Sequence, residues 1–562
     1  LRTLKSIIML SNIKYSFLLF TALILFSCDE EFLETTPTDA IASGDALATE
    51  ANISLVINGM HRTMYSQSQS VLPGGNAAAS TTRAGEHYWV PMGDNLAGGL
   101  IHSANANNLG WRNEAQWVSH TDQTSNTTQI LWYHRYNIIT NANSIINKVA
   151  EGTLPETPGL RAIVGQAYAY RAYAYLSLVQ HYAKGYLIGN PGSDPGVPIL
   201  FASESPFASG PRETVQTVYD QINDDLDAAI SNFEGAAARP SGSAFDKANL
   251  NVDVAWGLKA RVALATGDWA TAADAAVKAR QDYPIMGEED WKAGFNTTLL
   301  PEVIWGSNVI GTETTFFRSY FYLASNTFNG SQVRTNPKIG DRRLVDATPD
   351  TDYRKDVFLV DAPNTNFSAA NGVGGFDNNT NPLYTTQEEF NAERSRLESV
   401  WGWTSRHNAH PYMHVKLRQK VPGGIEPDDI IYMRSSEMYL IEAEAKAMMS
   451  DLSGAQEALR PLGEERDSAY DPTIFDTQEA FIEHIKFQRG LELWGEGFLF
   501  QDKIRWDDPV DHAANGGSGA SETLYQAGYF QDRPSVNTKW VFKIPQRELD
   551  ANPNLGPGDQ NP

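Results

Sequence analysis

Apolar residues recur three and four positions apart over several long stretches of this 562-residue chain, and the stretches fall into pairs. Residues 130–149 place Leu131, Ile138, Ile145 and Ile146 near one helical face, and 159–184 form a Tyr/Ala-rich helix that ends before Gly185. Residues 214–233 carry Val215, Val218, Ile222, Leu226 and Ile230 at the same spacing, the period of a helix with one buried stripe. Val252–Thr266 then meets Gly267-Asp268-Trp269 and restarts over 270–283, a helix pair with a glycine stop. A similar unit returns late in the chain. Residues 428–450 read as one helix, break at Asp451-Leu452-Ser453, and resume over 454–466. Small residues on paired helices with a short turn are how tetratricopeptide-like units stack. The pattern therefore predicts a mainly α, tetratricopeptide-like helical-repeat scaffold, with repeat helices over about 130–184, 214–283 and 428–500.

Between the pairs the periodicity is lost. Residues 66–128, 185–212, 286–427 and 507–543 are rich in turns and hold most of the tryptophans among Gly, Asn, Pro and Thr. Loops this long are functional or disordered, and such a density of aromatics argues against disorder. These segments are expected to form an irregular, loop-rich ligand-binding lobe, about 66–128, 286–427 and 507–543.

The first thirty residues follow a different rule. Arg2, Lys5 and Lys14 precede an apolar run, Tyr15 to Phe26, that is shorter than the ~20 residues a membrane span requires. It ends in Leu25-Phe26-Ser27-Cys28, which holds the one cysteine of the chain and resembles a bacterial lipoprotein box. Residues 1–27 are thus expected to be a signal peptide and Cys28 a lipid anchor. Residues 28–50 would be a tether grading into a single domain over 51–562. No later segment approaches the length of an uninterrupted apolar span.

Charge narrows the partners. The formal net charge is -24, and because Arg2, Lys5 and Lys14 are the only charged residues in 1–27, removing that segment leaves -27. So acidic a body repels phosphate backbones, which argues against nucleic-acid binding.

Catalytic and metal motifs with sound spacing are absent from the sequence: there is no His-Glu-x-x-His, phosphate loop or Gly-x-Ser-x-Gly. Gly372-Val373-Gly374-Gly375 lies in Asn-rich loop sequence. Pro411 interrupts the helix that would align His407, His410 and His414, so these read as packing or surface histidines. Asp377, Asn379, Asn381 and Glu388 mimic a calcium loop, but Pro382 occupies its glycine position. No enzyme, metal or cofactor is expected.

Aromatic-rich loops offer binding chemistry instead. A sugar ring lays its apolar C–H face on Trp or Tyr while Asn, Asp and Arg bond its hydroxyls. Residues 83–117 contain Arg83, Glu86, Tyr88, Trp89, Asp94, Asn95, Trp111 and Trp117; a second cluster is Phe316 to Tyr322, and a third is Trp401, Trp403, His407 and Tyr412. Over half of these rings are expected in the core, as large aromatics usually are. Trp132, Trp256, Trp269, Trp305 and Trp494 lie in regular patterns and are assigned to packing.

Ordered fragments along the chain match a family. Leu131-Trp132 with Tyr136, Arg171-Ala172-Tyr173, Arg212 with Val218-Tyr219, Asp341-Arg342, and Arg434 with Glu437 and Ala443-Glu444-Ala445 fall in sequence. They are followed by Arg489, Glu492-Leu493, Glu496-Gly497, Asp502, Arg505-Trp506 and a terminal Gln560-Asn561-Pro562. The chain resembles the SusD/RagB family of Bacteroidetes outer-membrane lipoproteins. Gln488 and Leu499 depart from the closing motif, which usually has Glu and Arg there. The resemblance implies a SusD-like scaffold of four tetratricopeptide-like units and no catalysis. It implies capture of oligosaccharides at the cell surface for uptake through a SusC-type TonB-dependent transporter, or of peptides, as in the RagB branch. Asp29-Glu30-Glu31 resembles the surface-export signal of such lipoproteins, implying a surface-exposed, lipid-anchored protein of the outer membrane. The Asp94-Asn95 stretch resembles the family's acidic motif before the first repeat; with it, Trp89 and Trp111 are the leading ligand-binding candidates and Tyr320 a further one. Arg489 is expected to pair with Glu437 or Glu492.

Overall fold

The computed structural model describes residues 46–67, 84–103, 111–201, 209–242, 246–315, 317–365, 367–368, 372–373, 384–511 and 530–562. Cys28, the signal segment and the acidic residues behind it lie outside the described residues, as do Arg83, Phe316, Asp377, Asn379, Asn381 and Pro382. The chain divides into two units, 1–53 and 54–562. Of the first, 46–53 are described, including the start of helix α1 (Glu50–Tyr65), which continues into the second.

Among the described residues of the second unit, the helices of eight residues or more begin with α2 (Glu86–Ala97), α3 (Asn126–Ala150), α4 (Pro158–Tyr182), α5 (Val215–Phe233), α6 (Val252–Thr266) and α7 (Trp269–Arg280). They are followed by α8 (Gln387–Trp401), α9 (Ser435–Met448), α10 (Leu452–Arg466), α11 (Gln478–Glu492) and α12 (Leu499–Trp506).

The starts of the repeat helices are written locally. Ser125, Thr157, Thr214, Asn251, Asp268, Asp451 and Thr477 each precede a helix and accept a backbone N–H of its first turn through the side chain. Gly267 closes α6 in the left-handed region, φ 79°, where a side chain would strain the backbone.

Packing follows chain order. Helix α3 lies on α4, α4 on α5, α5 on α6 and α6 on α7; α7 then lies on α9, and α9 on α10 and α11. These eight helices form a stack in which each touches its neighbours, as in helical-repeat proteins. Alanines make the close contacts: Ala260, Ala272, Ala275, Ala276, Ala279, Ala443, Ala447 and Ala455 are fully buried. Gly257 serves the same end, since a Cβ there would sit 2.2 Å from the sulfur of Met433. Residues 281–434 leave the stack after α7 and return at α9, so the largest loop-rich segment is an excursion between two helices that pack on each other.

One expected helix is partly a strand. Ile430–Arg434 pairs antiparallel with Val303–Ser307, with a register shift around Trp305, and the helix begins only at Ser435. The run Ile-Ile-Tyr-Met-Arg is buried on both faces, where a continuous apolar stretch suits a strand as well as a helix. Within the excursion, Lys338–Ile339 and Met413–His414 are the inner strands of a four-stranded sheet, with Ile101–His102 and Phe358–Leu359 at its edges. The hydrophobic cluster on this sheet joins Ile101, Ile339, Leu397, Trp403 and Met413.

Candidate functional site

Helix α2 brings the residues singled out in the sequence to one place, and buries them. Trp89, Asp94, Asn95, Trp111 and Tyr320 are 7%, 2%, 0%, 2% and 4% exposed. Tyr88 meets Trp89 edge-on at 4.7 Å between ring centroids and Trp111 at 5.7 Å. Asn95 donates to the carbonyl of Leu100 at 3.3 Å, and Tyr320 donates through its hydroxyl to the carbonyl of Gly495 at 2.8 Å. The N–H of Tyr320 donates to Nδ1 of His87 at 2.9 Å. Rings this buried cannot serve as open platforms for a ligand face. The expectation of a Trp89–Trp111 surface platform is corrected accordingly: these rings anchor α2 to the loops around it.

What α2 is anchored to is the turn Gly495-Glu496-Gly497 after α11. A Cβ at Gly93 would fall 2.6 Å from the carbonyl of Gly497, and one at Gly497 would fall 2.3 Å from the carbonyl of Val90. Two backbones thus touch with no room for a side chain, and Gly497 also has φ 91°. The Asp94 carboxylate accepts the Gly497 N–H at 2.5 Å. Burial pushes the Asp94 pKa up to about 7, against the opposing effect of its backbone hydrogen bonds to Gly497 and Leu499.

Below this contact lies a buried ionic network that ties the excursion to the repeat stack. Arg434 donates to Glu302 at 2.8 Å, to Glu492 at 2.6 Å and to Glu496 at 2.7 Å. Arg466 bonds Glu302 and Glu492, while Arg354 bonds Asp352, Glu492 and Gln488. Lys416 donates to Glu496 at 2.8 Å and to the carbonyls of Glu492 and Trp494. Four cations face four carboxylates, so the charges balance although nearly all are out of water. The departure at Gln488 fits here: its carbonyl oxygen accepts from Arg354 at 2.7 Å, so the uncharged side chain still closes the network.

Arg489 is buried, as expected, but its partner is another residue. It forms a two-pronged bond to Asp502, 3.0 Å at each contact, and Asp502 is shared with Arg505. Glu437 pairs with Arg261 at 2.7 Å, and Glu492 is taken up by Arg354, Arg434 and Arg466. With both glutamates engaged elsewhere, Arg489 turns to the first turn of α12.

His407, His410 and His414 are packing residues. Each bonds backbone carbonyl groups, and burial lowers them to about 4, 4 and 3. Among the described residues no group of three or more His, Cys, Asp or Glu gathers to hold a metal. No described helix is long and apolar enough to cross a membrane. Trp132, Trp305 and Trp494 are buried, whereas Trp256 and Trp269 are half-buried, Trp256 lying under the ammonium of Lys278 at 4.1 Å.

Two rings of the third sequence cluster keep part of their surface open beside the four-stranded sheet. Trp401, the last residue of α8, and Tyr412 are half-buried and pack on the same hydrophobic cluster. Polar groups surround them. The Tyr412 hydroxyl donates to Asp346 at 2.8 Å, Arg342 lies 5.4 Å from the Tyr412 ring centre, and Arg418 lies 5.1 Å from that of Trp401. Tyr412 has φ 66°, a conformation a bulky side chain rarely adopts. Strain of this kind persists only where the surroundings enforce it, and it collects at ligand-binding positions. Sequence reasoning grouped these two rings but could not see that they alone of their cluster stay half-open; the Pro411-Tyr412 step after a histidine-rich loop was the available hint.

A helical stack with a large loop-rich excursion, joined by a buried ionic network and carrying half-open aromatics, defines a binding scaffold. Residues 279–562, just over half of the chain, match the SusD family model, and residues 85–237 match a model described as starch-binding associating with outer membrane. The chain belongs to the SusD family. A SusD-like carbohydrate binding protein from Bacteroides vulgatus aligns with TM-score 0.68 at 21% identity, covering 92% of this chain and 98% of that one. A putative sugar binding protein from the same species aligns with TM-score 0.66 at 20% identity, over 92% and 98%. Surface glycan-binding protein A from Bacteroides fluxus aligns with TM-score 0.60 at 16% identity, over 92% and 99%. These likenesses show the fold. No curated protein matches the sequence.

Proposed function

We propose that this chain is a non-catalytic lipoprotein that captures oligosaccharides at the cell surface and delivers them to a SusC-type TonB-dependent transporter. Family membership supports the reading, and so does the likeness to a SusD-like carbohydrate binding protein and a surface glycan-binding protein. The observation that carries it here is the pair Trp401 and Tyr412: half-open rings next to the four-stranded sheet, beside Asp346, Arg342 and Arg418. Such a surface offers an apolar face for a sugar ring and charged or polar groups for its hydroxyls. The buried cluster of Trp89, Asp94, Asn95, Trp111 and Tyr320 supports binding indirectly, by holding α2 and the turn 495–497 in place. Lipidation at Cys28 would keep the protein beside its transporter and raise its effective concentration there.

Titration calorimetry with neutral oligosaccharides, including maltoheptaose, tests the site. Tyr412→Ala and Trp401→Ala are each expected to weaken binding by about 1–3 kcal/mol, by analogy with base stacking on aromatic platforms. Unchanged affinity in both variants would remove these rings from the site. Saturable binding of peptides with none of oligosaccharides would assign the scaffold to peptide capture.

A further inference from the structure

Two arginines lie over the half-open rings, and only one of them has a carboxylate. Arg342, over Tyr412, donates to Asp346 at 2.9 Å, and Asp346 also accepts the Tyr412 hydroxyl. Arg418 lies over Trp401, 5.1 Å from the ring centre, and among the described residues its guanidinium has no ion pair and no hydrogen bond. Carboxylates are not scarce in this chain, since Asp and Glu outnumber Lys and Arg by 68 to 44. Other shielded arginines of the excursion take them up: Arg354 bonds Asp352 and Glu492, and Arg394 bonds Glu398. Arg418 is half-buried, so its guanidinium has lost part of its water with no carboxylate in exchange. Burial shifts it downward and no carboxylate opposes the shift.

The arginine is also held in place. Its N–H donates to the carbonyl of Gly294 at 3.2 Å, and its own carbonyl accepts Nδ2 of Asn296 at 2.8 Å. Gly294 packs so closely that a Cβ there would fall 2.6 Å from Cγ of Arg418. A Cβ at Gly402, directly after Trp401, would fall 2.7 Å from the carbonyl oxygen of Pro422, so the loop after the ring touches the loop after the arginine. Stacking on an aromatic occupies the face of a guanidinium and leaves its N–H edge, a planar fork that matches a carboxylate with two parallel hydrogen bonds. The carboxylates beside the two rings do not compete for that edge: Asp346 is engaged by Arg342 and Tyr412, and Glu398, within a turn of Trp401, by Arg394.

We infer that Arg418 is a specificity-determining residue of the ring face, and that the oligosaccharide it selects carries a carboxylated sugar, a uronic acid. The inference rests on the proposed oligosaccharide face at Trp401 and Tyr412. Neutral chains use the rings alone and bind more weakly; a uronate adds its carboxylate to the unpaired guanidinium. An acidic peptide also offers a carboxylate, but it brings no flat C–H face to the rings.

The full chain is titrated by calorimetry with oligogalacturonates and glucuronoxylan oligosaccharides. Each is set beside the same chain after reduction of its carboxyl groups to primary alcohols, and tetraglutamate serves as the acidic peptide. At least one acidic chain is expected to bind about tenfold or more tighter than its reduced form, the worth of a hydrogen bond to a charged group. Arg418→Gln should abolish that preference and leave the affinity for the reduced chain unchanged. Arg418→Lys, which keeps the charge without the fork, should retain only part of the preference. Equal affinity for acidic and reduced chains in the wild type, or a preference that survives Arg418→Gln, would overturn the inference and leave the ring face standing. Equal loss of both forms in Arg418→Gln would make the residue structural and overturn it as well. Binding of neither form would remove the ring face with it. Tetraglutamate binding that Arg418→Gln abolishes, with no acidic chain bound, would assign the arginine to peptide capture instead.

Discussion

Asp94→Asn is expected to stabilise the protein at pH 8 and to leave it nearly unchanged near pH 4. In the folded chain burial holds Asp94 at about 7, against the ordinary 3.8. Between those values the folded state carries a proton that the unfolded state has released. Stability from this group is therefore greatest below pH 3.8 and falls as pH rises through 7. The full gap corresponds to on the order of 4 kcal/mol, an upper bound because the variant must place its extra N–H₂. The substituted amide would be neutral at every pH and would keep a carbonyl oxygen for the Gly497 N–H, which Asp94 accepts at 2.5 Å. Thermal midpoints of both proteins, measured from pH 4 to 8 in one buffer series, give the comparison. Buried histidines are common to both proteins and cancel in the difference. The advantage of the variant should grow from near zero at pH 4 to several degrees at pH 8. A difference that is constant with pH, or a variant least stable at pH 8, would refute the argument from burial.

Other outcomes follow from the same structure. Arg434→Ala leaves Glu302, Glu492 and Glu496 short of a partner in a dry interior, and a loss of about 3–5 kcal/mol in urea unfolding is expected. Gly497→Ala adds a Cβ where the Val90 carbonyl already lies 2.3 Å away, at φ 91°, and should cost more than about 1 kcal/mol by thermal unfolding. In the wild type, burial lowers His87, His102, His134 and His414 to about 3. They stay neutral when folded while unfolded chains protonate near 6.5, so their contribution is full above that pH and is lost as pH falls toward 3; midpoints measured from pH 7 down to 4 should show the decline.

Much of the repeat stack was legible because its signals are local. Val252–Thr266 has an amphipathic run, with an Asn cap before it and a Gly stop after it, and the structure reproduces it. The strand at 430–434 is not legible as one because the apolar run Ile430-Ile431-Tyr432-Met433 has no period to distinguish strand from helix. Strands of two residues in the excursion carry no pattern at all. The burial of the candidate site residues was illegible for another reason. Trp89 and Trp111 have the chemistry of a platform, but their burial is decided by α2 meeting a glycine turn about four hundred residues away in sequence. Arg489 is expected from sequence to pair with Glu437 or Glu492, whereas Asp502 lies across the turn to α12, Glu437 is held by Arg261 and Glu492 is drawn to three other arginines. Long-range pairing of this kind is fixed by packing and is not visible in residue type.

Capture of glycan without catalysis by the loop-rich excursion can be decided by calorimetric titration of the mature chain with a panel of neutral oligosaccharides. The ligand is recovered afterwards and sized. Saturable binding of at least one oligosaccharide, recovery of that ligand intact, and a loss of about tenfold or more in Tyr412→Ala are expected. Binding of none, or recovery of shortened chains from pure protein, would contradict it.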